Sequence, residues 1–138
     1  MSVSTAESSR IELSGTTVAL AAGDLAAILL FVAVGEYTHG YNPLVDVGRV
    51  AGTFAPFLLG WLPVASLAGL YSGDTGGLGR TLAVTALSWV LAVVVAQGLR
   101  ATDLFHGDAA VTFAIVSMLI GGVLLSIWRA LGTLILDT

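Results

Sequence analysis

The chain contains no cysteine and no lysine. Without cysteine, disulfide bonds and thiol chemistry are excluded. All five cations are Arg, set against nine acidic residues, so no basic patch for nucleic acid and no polybasic segment for anionic lipid is present in the sequence. Charged residues make up only 10% of the chain, whereas a soluble domain carries about 25%. This composition excludes an ordinary soluble domain, and the Lys-free, acidic usage is typical of an extreme halophile.

Four long apolar stretches occupy most of the 138 residues, over 18–37, 51–71, 81–99 and 109–136. Each is near the ~20 residues that a helix needs to cross ~30 Å of hydrocarbon. Backbone groups in lipid must hydrogen-bond internally, so helices are expected rather than open strands. The sequence therefore predicts an all-α integral membrane bundle of four transmembrane helices, with the lipid bilayer as its surroundings.

The polar, Ser/Thr-rich residues 1–17 are expected to form a mobile N-terminus, ahead of a single membrane domain over 18–138. They do not form a secretory signal, because the apolar stretch that follows is too long and no small-residue cleavage site comes after it.

The Arg residues set the expected orientation. Four spans place both termini on one side, with Arg10, Arg80 and Arg129, and leave Arg49 and Arg100 on the other. The positive-inside rule then predicts cytoplasmic termini in a cell-membrane protein. The margin of three to two leaves open a homo-oligomer formed by dual insertion, including an antiparallel dimer.

Two charged residues lie inside the apolar stretches, where charges are rare and costly. Asp24 is about six residues inside the first stretch and Arg129 about seven residues from the end of the fourth. Both positions are on the terminal side, so we predict an Asp24–Arg129 ion pair between the first and last helices. The pair is either a static packing element or a functional site; alternatively, Arg129 extends to the headgroups while Asp24 faces water.

His39 follows Asp24 along one helical stripe through Ile28, Phe31 and Gly35, which is expected to face the bundle interior. It lies about 22 Å from Asp24 along the axis. Glu36 is three residues before His39 and would be its neighbour if the helix continues.

A polar cluster with two His and several carboxylates is expected at the non-terminal end, around Glu36 and His39. Its other members are Asp46, Arg49, Arg100, Asp103, His106 and Asp108. Such groups suit metal binding or a proton relay, but ordinary interfacial charge at helix ends explains them as well. The spacing is not that of a known metal site, so no metal and no cofactor are predicted.

Pro56 and Pro63 share the second stretch, where each removes a backbone donor and kinks a helix. The kink is either a fixed packing feature or a hinge beside a cavity. Trp61 and Trp89 lie in the middle of their stretches and are expected to fill the bundle core.

A family resemblance rests on residues spread over all four stretches: Asp24, Gly35, His39, Gly40, Pro56, Phe57, Gly60, Trp61, Arg100, Phe113, Trp128 and Arg129. In this order and spacing the chain resembles the domain of unknown function 3054 family over about residues 20 to 130. The resemblance implies a short four-helix integral membrane protein of archaea or actinobacteria, and no established activity. Glu36 departs from the family pattern, which has Arg after the glycine; any role of that Arg is in doubt here or has moved to Arg49.

Three function classes follow from the sequence. The first is a small transporter or channel with Asp24, His39 and Arg129 in its interior. The second is a non-catalytic accessory or structural subunit of a larger membrane complex. An enzyme is not expected, because no convincing nucleophile–base pair or metal set is present.

Overall fold

The computed structural model describes residues 11–73, 76–105 and 110–136. Over these residues the chain forms four helical rods. The first three are α1 (Gly15–Thr38), α2 (Val47–Leu67) and α3 (Leu78–Arg100). The fourth rod joins α4 (Val111–Val116), a π-helical turn (Ser117–Gly121) and α5 (Gly122–Ile135). All four rods are long and apolar enough to span a membrane, which confirms the predicted all-α fold of four transmembrane helices.

The rods form a closed ring of neighbours. Helices α1 and α3 each pack against both α2 and α5. Within the described residues the backbones of α1 and α3 do not approach each other closely, and the two helices meet through the rings of Phe31 and Trp89. Large apolar side chains on the outside of the ring, such as Leu29, Leu91 and Leu119, are exposed. An exposed apolar surface around the whole bundle is what contact with lipid requires.

Helix α1 begins earlier than predicted, because Ser14 caps it. The Ser14 hydroxyl oxygen accepts a hydrogen bond from the Thr17 backbone N–H at 3.1 Å, as N-cap residues do. Two residues of the segment that is expected to be mobile contact the end of the second rod: Ile11 forms a β-bridge with Tyr71, and the Glu12 N–H donates to the Tyr71 carbonyl at 2.6 Å. The rest of that predicted segment, residues 1–10, lies outside the described residues.

Helix α2 begins and ends about four residues before the predicted stretch. Its end is a Schellman turn: Gly69 has φ +89°, and the Leu70 N–H donates to the Ala65 carbonyl at 3.0 Å. A left-handed glycine after the last turn stops a helix in this way. Tyr71 consequently leaves the helix and turns into the bundle, where it is 4% exposed.

Helices α2 and α3 approach closely at Gly60. A Cβ atom at this position would lie 2.5 Å from the Ala92 carbonyl oxygen, so only glycine allows the two backbones to meet here. The buried face of α3 consists largely of small residues: Thr81, Thr85, Ser88, Ala92 and Ala96. Close packing of small residues thus joins the central pair of helices.

Both prolines lie inside α2, and the helix continues through them. Pro56 is buried against the bundle, whereas Pro63 is exposed. The two alternatives for this pair, a fixed kink and a hinge, both remain compatible with a continuous helix.

Candidate functional site

The predicted ion pair between Asp24 and Arg129 is present in the bundle. Arg129 donates from Nε to Asp24 Oδ1 at 3.0 Å and from Nη2 to Oδ2 at 2.7 Å. The contact is therefore bidentate, the strongest geometry for a guanidinium and a carboxylate. The side chains are 0% and 1% exposed, so neither Asp24 facing water nor Arg129 extending to the headgroups applies.

Two further groups complete the hydrogen bonding of this pair. The Tyr71 hydroxyl donates to Asp24 Oδ2 at 2.5 Å, and the Trp61 indole N–H donates to the Tyr71 hydroxyl at 2.8 Å. Arg129 Nη1 donates to the Leu70 carbonyl at 3.3 Å. Helices α1, α2 and α5 and the α2–α3 loop thus meet in one network, and buried ions require such additional partners.

Tyr71 is fixed as a donor by its surroundings. Burial raises the pKa of its hydroxyl well above the ordinary value, and the neighbouring Asp24 carboxylate raises it further. The Tyr71 hydroxyl therefore keeps its proton at every physiological pH, and the proton points at the carboxylate.

Tyr71→Phe is expected to lower the free energy of unfolding by about 1–3 kcal/mol, because it leaves the Trp61 N–H buried without its acceptor and removes one donor to Asp24. Thermal and chemical unfolding of the detergent-solubilised protein measures the change. The matched control is Tyr37→Phe: Tyr37 is 70% exposed, and its change should stay within about 0.5 kcal/mol. Equal stability of both variants would contradict a structural role of the Tyr71 hydroxyl.

Five aromatic rings fill the centre of the bundle between the ion pair and the other end: Phe31, Phe57, Trp61, Trp89 and Phe113. Neighbouring ring centroids lie 5.6 to 6.4 Å apart, within the range of favourable aromatic pairs. Phe31 is about 10 Å from Asp24 along α1. We call these rings the aromatic cluster; the predicted burial of Trp61 and Trp89 is confirmed, since both are 0% exposed.

Trp89 sits at the centre of the cluster and is anchored to the π-helical turn. Its indole N–H donates to the Ser117 carbonyl at 2.8 Å, and its ring lies where a Cβ on Gly121 would be, 2.4 Å from Cζ2. A π turn disturbs the helical hydrogen-bond ladder, and here the Ser117 carbonyl receives a side-chain donor. The turn and its glycine therefore accommodate one of the two tryptophans of the core.

The polar cluster predicted at the non-terminal end surrounds a pocket of about 290 Å³, which we call the loop-end pocket. Its polar lining comes from three helices and the loop after α1: Glu36, His39, Tyr41, Arg49, Thr53 and Arg100. Phe31 and Phe113 of the aromatic cluster form part of its wall. Glu36, His39, Arg49 and Arg100, all predicted site residues, are therefore brought together.

An ion pair orders one wall of the loop-end pocket. Arg49 Nε donates to Glu36 Oε1 at 2.9 Å, and the Thr53 hydroxyl donates to Glu36 Oε2 at 2.6 Å. The Arg49 guanidinium also stacks 3.9 Å from the Tyr41 ring centroid. Glu36 is buried, and both of its oxygens are used in holding α2 against α1.

His39 differs from its expected place in the bundle interior. It follows the last residue of α1, it is exposed, and its Nδ1 lies 2.8 Å from the Gly35 carbonyl oxygen. The helix ends before the predicted stripe reaches the histidine. His106 lies outside the described residues, and within 11–73, 76–105 and 110–136 no three His, Asp or Glu side chains are placed to hold a metal ion.

Sequence reasoning missed Tyr71, Thr53 and Tyr41. Tyr71 carries a weak signal, because a tyrosine beside Leu70 and Gly69 at the end of an apolar stretch is as typical of a membrane interface as of a buried donor. The sequence carries no signal that would identify Thr53 or Tyr41, because the residues that they contact depend on how the loop after α1 folds back.

Comparisons with known proteins agree with the fold and add no activity. No curated protein and no solved structure matches the chain. The model of one family, described as "protein of unknown function (DUF3054)", matches residues 21–132. The match covers all four rods apart from the first six residues of α1 and the last three of α5, and it includes both the ion pair and the loop-end pocket. The chain belongs to this family of proteins of unknown function, DUF3054.

Proposed function

We propose that the protein is a non-conducting, non-catalytic membrane protein that acts as an accessory or structural subunit of a larger membrane complex. The observation that carries this proposal is the filled interior: a fully buried ion pair and an aromatic cluster occupy the bundle between its two ends. A conduction path needs polar or hydrated groups along its length.

Two features of the polar residues support the proposal. Asp24 and Arg129 satisfy each other and are closed off from solvent, whereas a transporting carboxylate faces a water-filled cavity. The loop-end pocket is bounded by Phe31 and Phe113, and those rings belong to the aromatic cluster. Its polar groups and the buried pair therefore lie on opposite sides of an apolar layer.

The proposal also covers the membrane in which the protein lies and its orientation there. We propose the cell membrane of a halophile, with the termini of the protein in the cytoplasm, on the strength of the acidic, Lys-free composition and the Arg distribution. An archaeal source is what the family resemblance implies. The exposed apolar faces of the rods would contact lipid, a partner subunit or a second copy of the chain, in parallel or antiparallel orientation.

The test is flux through liposomes that contain the purified full chain. Proton and sodium flux should equal that of empty liposomes in high salt, with a channel-forming peptide as the positive control. Chemical cross-linking in native membranes, followed by detergent extraction, should then yield a partner in fixed stoichiometry. Flux of the wild-type chain above the background would overturn the proposal, and loss of that flux in Asp24→Asn protein that is still folded would assign transport.

Transport remains a second candidate because a helix-internal proline and a π-helical turn lie beside the aromatic cluster. Pro56 precedes Phe57 in α2, and the π turn holds Trp89 from the fourth rod. Proline and π-helical segments are common where transport helices bend. In this candidate the cluster is a gate, and Asp24→Asn abolishes flux while the protein still folds.

A further inference from the structure

The loop between α1 and α2 carries large apolar side chains on its outside. Leu44 and Val45, which we call the loop tip, are 90% and 73% exposed. Among the described residues no other large apolar side chain is as exposed as Leu44. Contiguous apolar surface that is exposed in this way marks contact with another protein or with a membrane.

Two polar side chains of the same loop bind the loop's own backbone. Asn42 Oδ1 accepts a hydrogen bond from the Leu44 N–H at 2.9 Å, which is the arrangement of an Asx-turn. Asp46 Oδ2 accepts a hydrogen bond from the Asn42 N–H at 3.0 Å. These polar groups therefore serve the backbone, while the apolar side chains of Leu44 and Val45 face outward.

The backbone donors of the loop are all satisfied by the protein itself. Every N–H group over 39–46 donates to a protein oxygen, and Pro43 has no N–H group. The Val45 and Asp46 N–H groups share the Asn42 carbonyl at 2.9 and 2.7 Å. A surface loop in water can leave such groups to the solvent, whereas donors that enter hydrocarbon must be satisfied internally. The loop is therefore suited to surroundings that are poor in water.

The loop tip continues the exposed apolar surface of the two helices that it joins. Val34 and Tyr37 lie in the last two turns of α1, and Val47 is the first residue of α2; all three are exposed. The ends of membrane-spanning helices lie near the boundary between hydrocarbon and water, where tyrosine is enriched. The loop tip is therefore next to the leaflet that surrounds these helix ends.

We propose that the loop tip inserts into the acyl-chain region of the leaflet at the non-terminal end, and that the loop's own hydrogen bonds make this insertion possible. Each backbone donor that enters the hydrocarbon already has its acceptor, which favours lipid over water. The continuity with the apolar helix surfaces favours lipid over a partner subunit. This anchoring goes beyond the accessory role proposed above and does not depend on it, because it requires neither flux nor a bound partner.

The test is the depth of spin labels on the full chain in liposomes of phosphatidylglycerol and phosphatidylcholine. The chain has no cysteine, so Leu44→Cys and Val45→Cys each carry a single nitroxide. Oxygen concentrates in hydrocarbon and a nickel chelate stays in water, so the ratio of their collision rates with the label gives its depth. Both labels should lie about 5–10 Å below the boundary of the headgroups, the depth that apolar residues of interfacial segments reach.

Two further labels calibrate this depth. Leu91→Cys, on the exposed face of α3 in the middle of a span, gives the value for lipid. Asp103→Cys, exposed in the loop after α3 at the same end of the bundle, gives the value for water. A label at residue 44 that matches the label at residue 103 would overturn the proposal. Spin–spin broadening at residue 44, with little access to either reagent, would also overturn it, because a second copy of the chain would then cover the tip.

The contribution of the loop's hydrogen bonds is tested in the labelled Leu44→Cys chain. Asn42→Ala removes the acceptor of the residue 44 N–H, so the label should move towards water and its collisions with the nickel chelate should increase. Thr102→Ala is the matched control: Thr102 Oγ1 accepts from the Leu104 N–H at 3.3 Å in the loop after α3, and its removal should leave the label where it is. The same depth in both variants would refute the link between these hydrogen bonds and insertion.

Discussion

Asp24→Asn is expected to lower the free energy of unfolding by about 3–5 kcal/mol, the scale for breaking a buried ion pair. Arg129 would keep its charge at a position that is 0% exposed, and the neutral amide cannot compensate it. Arg129→Met should cost a similar amount, because it leaves the Asp24 carboxylate buried with only the Tyr71 hydroxyl as a donor. Unfolding in mild detergent, followed by tryptophan fluorescence, measures both variants.

Replacing both ions together separates the cost of an orphaned charge from the value of the pair. Asp24→Leu combined with Arg129→Met should be far milder than either single variant, since no buried charge remains. A residual loss is expected, because the Tyr71 hydroxyl then lacks the carboxylate to which it donates. Equal losses in the single and double variants would mean that the ion pair is not what couples α1 to α5.

The ion pair and the fold were predictable from the sequence for the same reason. In lipid, the length of an apolar stretch sets the length of a helix, and a charge inside it requires a partner at the same depth. Asp24 and Arg129 are the two charged residues deep within the stretches, so depth alone identified them as partners. The pairing is thus encoded by position and does not depend on the loops.

Tyr71 shows what these rules leave out. It enters the network only because Gly69 ends α2 in a left-handed conformation and because Ile11 and Glu12 bind the Tyr71 backbone from the other side. When only the length of the apolar stretch is considered, the second helix is predicted to continue through these residues. The position of Tyr71 depends on loop geometry, which hydropathy does not contain.

The pairing of Glu36 bears on the departure from the family pattern. At the position where the family resemblance implies Arg, this chain has a glutamate that holds Arg49 at 2.9 Å. A guanidinium is therefore present at this end of the bundle, supplied by α2 and oriented by α1. The expectation that an arginine role has moved to Arg49 stays a prediction.

Trp89→Ala is expected to lower the free energy of unfolding by about 3–5 kcal/mol, the usual cost of removing a buried aromatic side chain. Trp89 is 0% exposed and touches three other rings of the aromatic cluster. Trp89→Phe retains a ring and loses the N–H that binds the Ser117 carbonyl; its cost should be about 1–3 kcal/mol, that of an unsatisfied buried acceptor together with a smaller ring.

Gly121 supplies the decisive comparison, because its missing Cβ leaves the space that the Trp89 ring occupies. In the wild-type background Gly121→Ala should destabilise the protein, since the new methyl group would overlap the indole. In the Trp89→Ala background the same methyl group enters the space vacated by the ring, so its cost should vanish or become a gain of up to about 1 kcal/mol. The difference between the two backgrounds is the coupling energy of the pair. Additive effects would show that the π turn tolerates a side chain at residue 121 irrespective of Trp89, and that the close contact does not fix the fourth rod against α3.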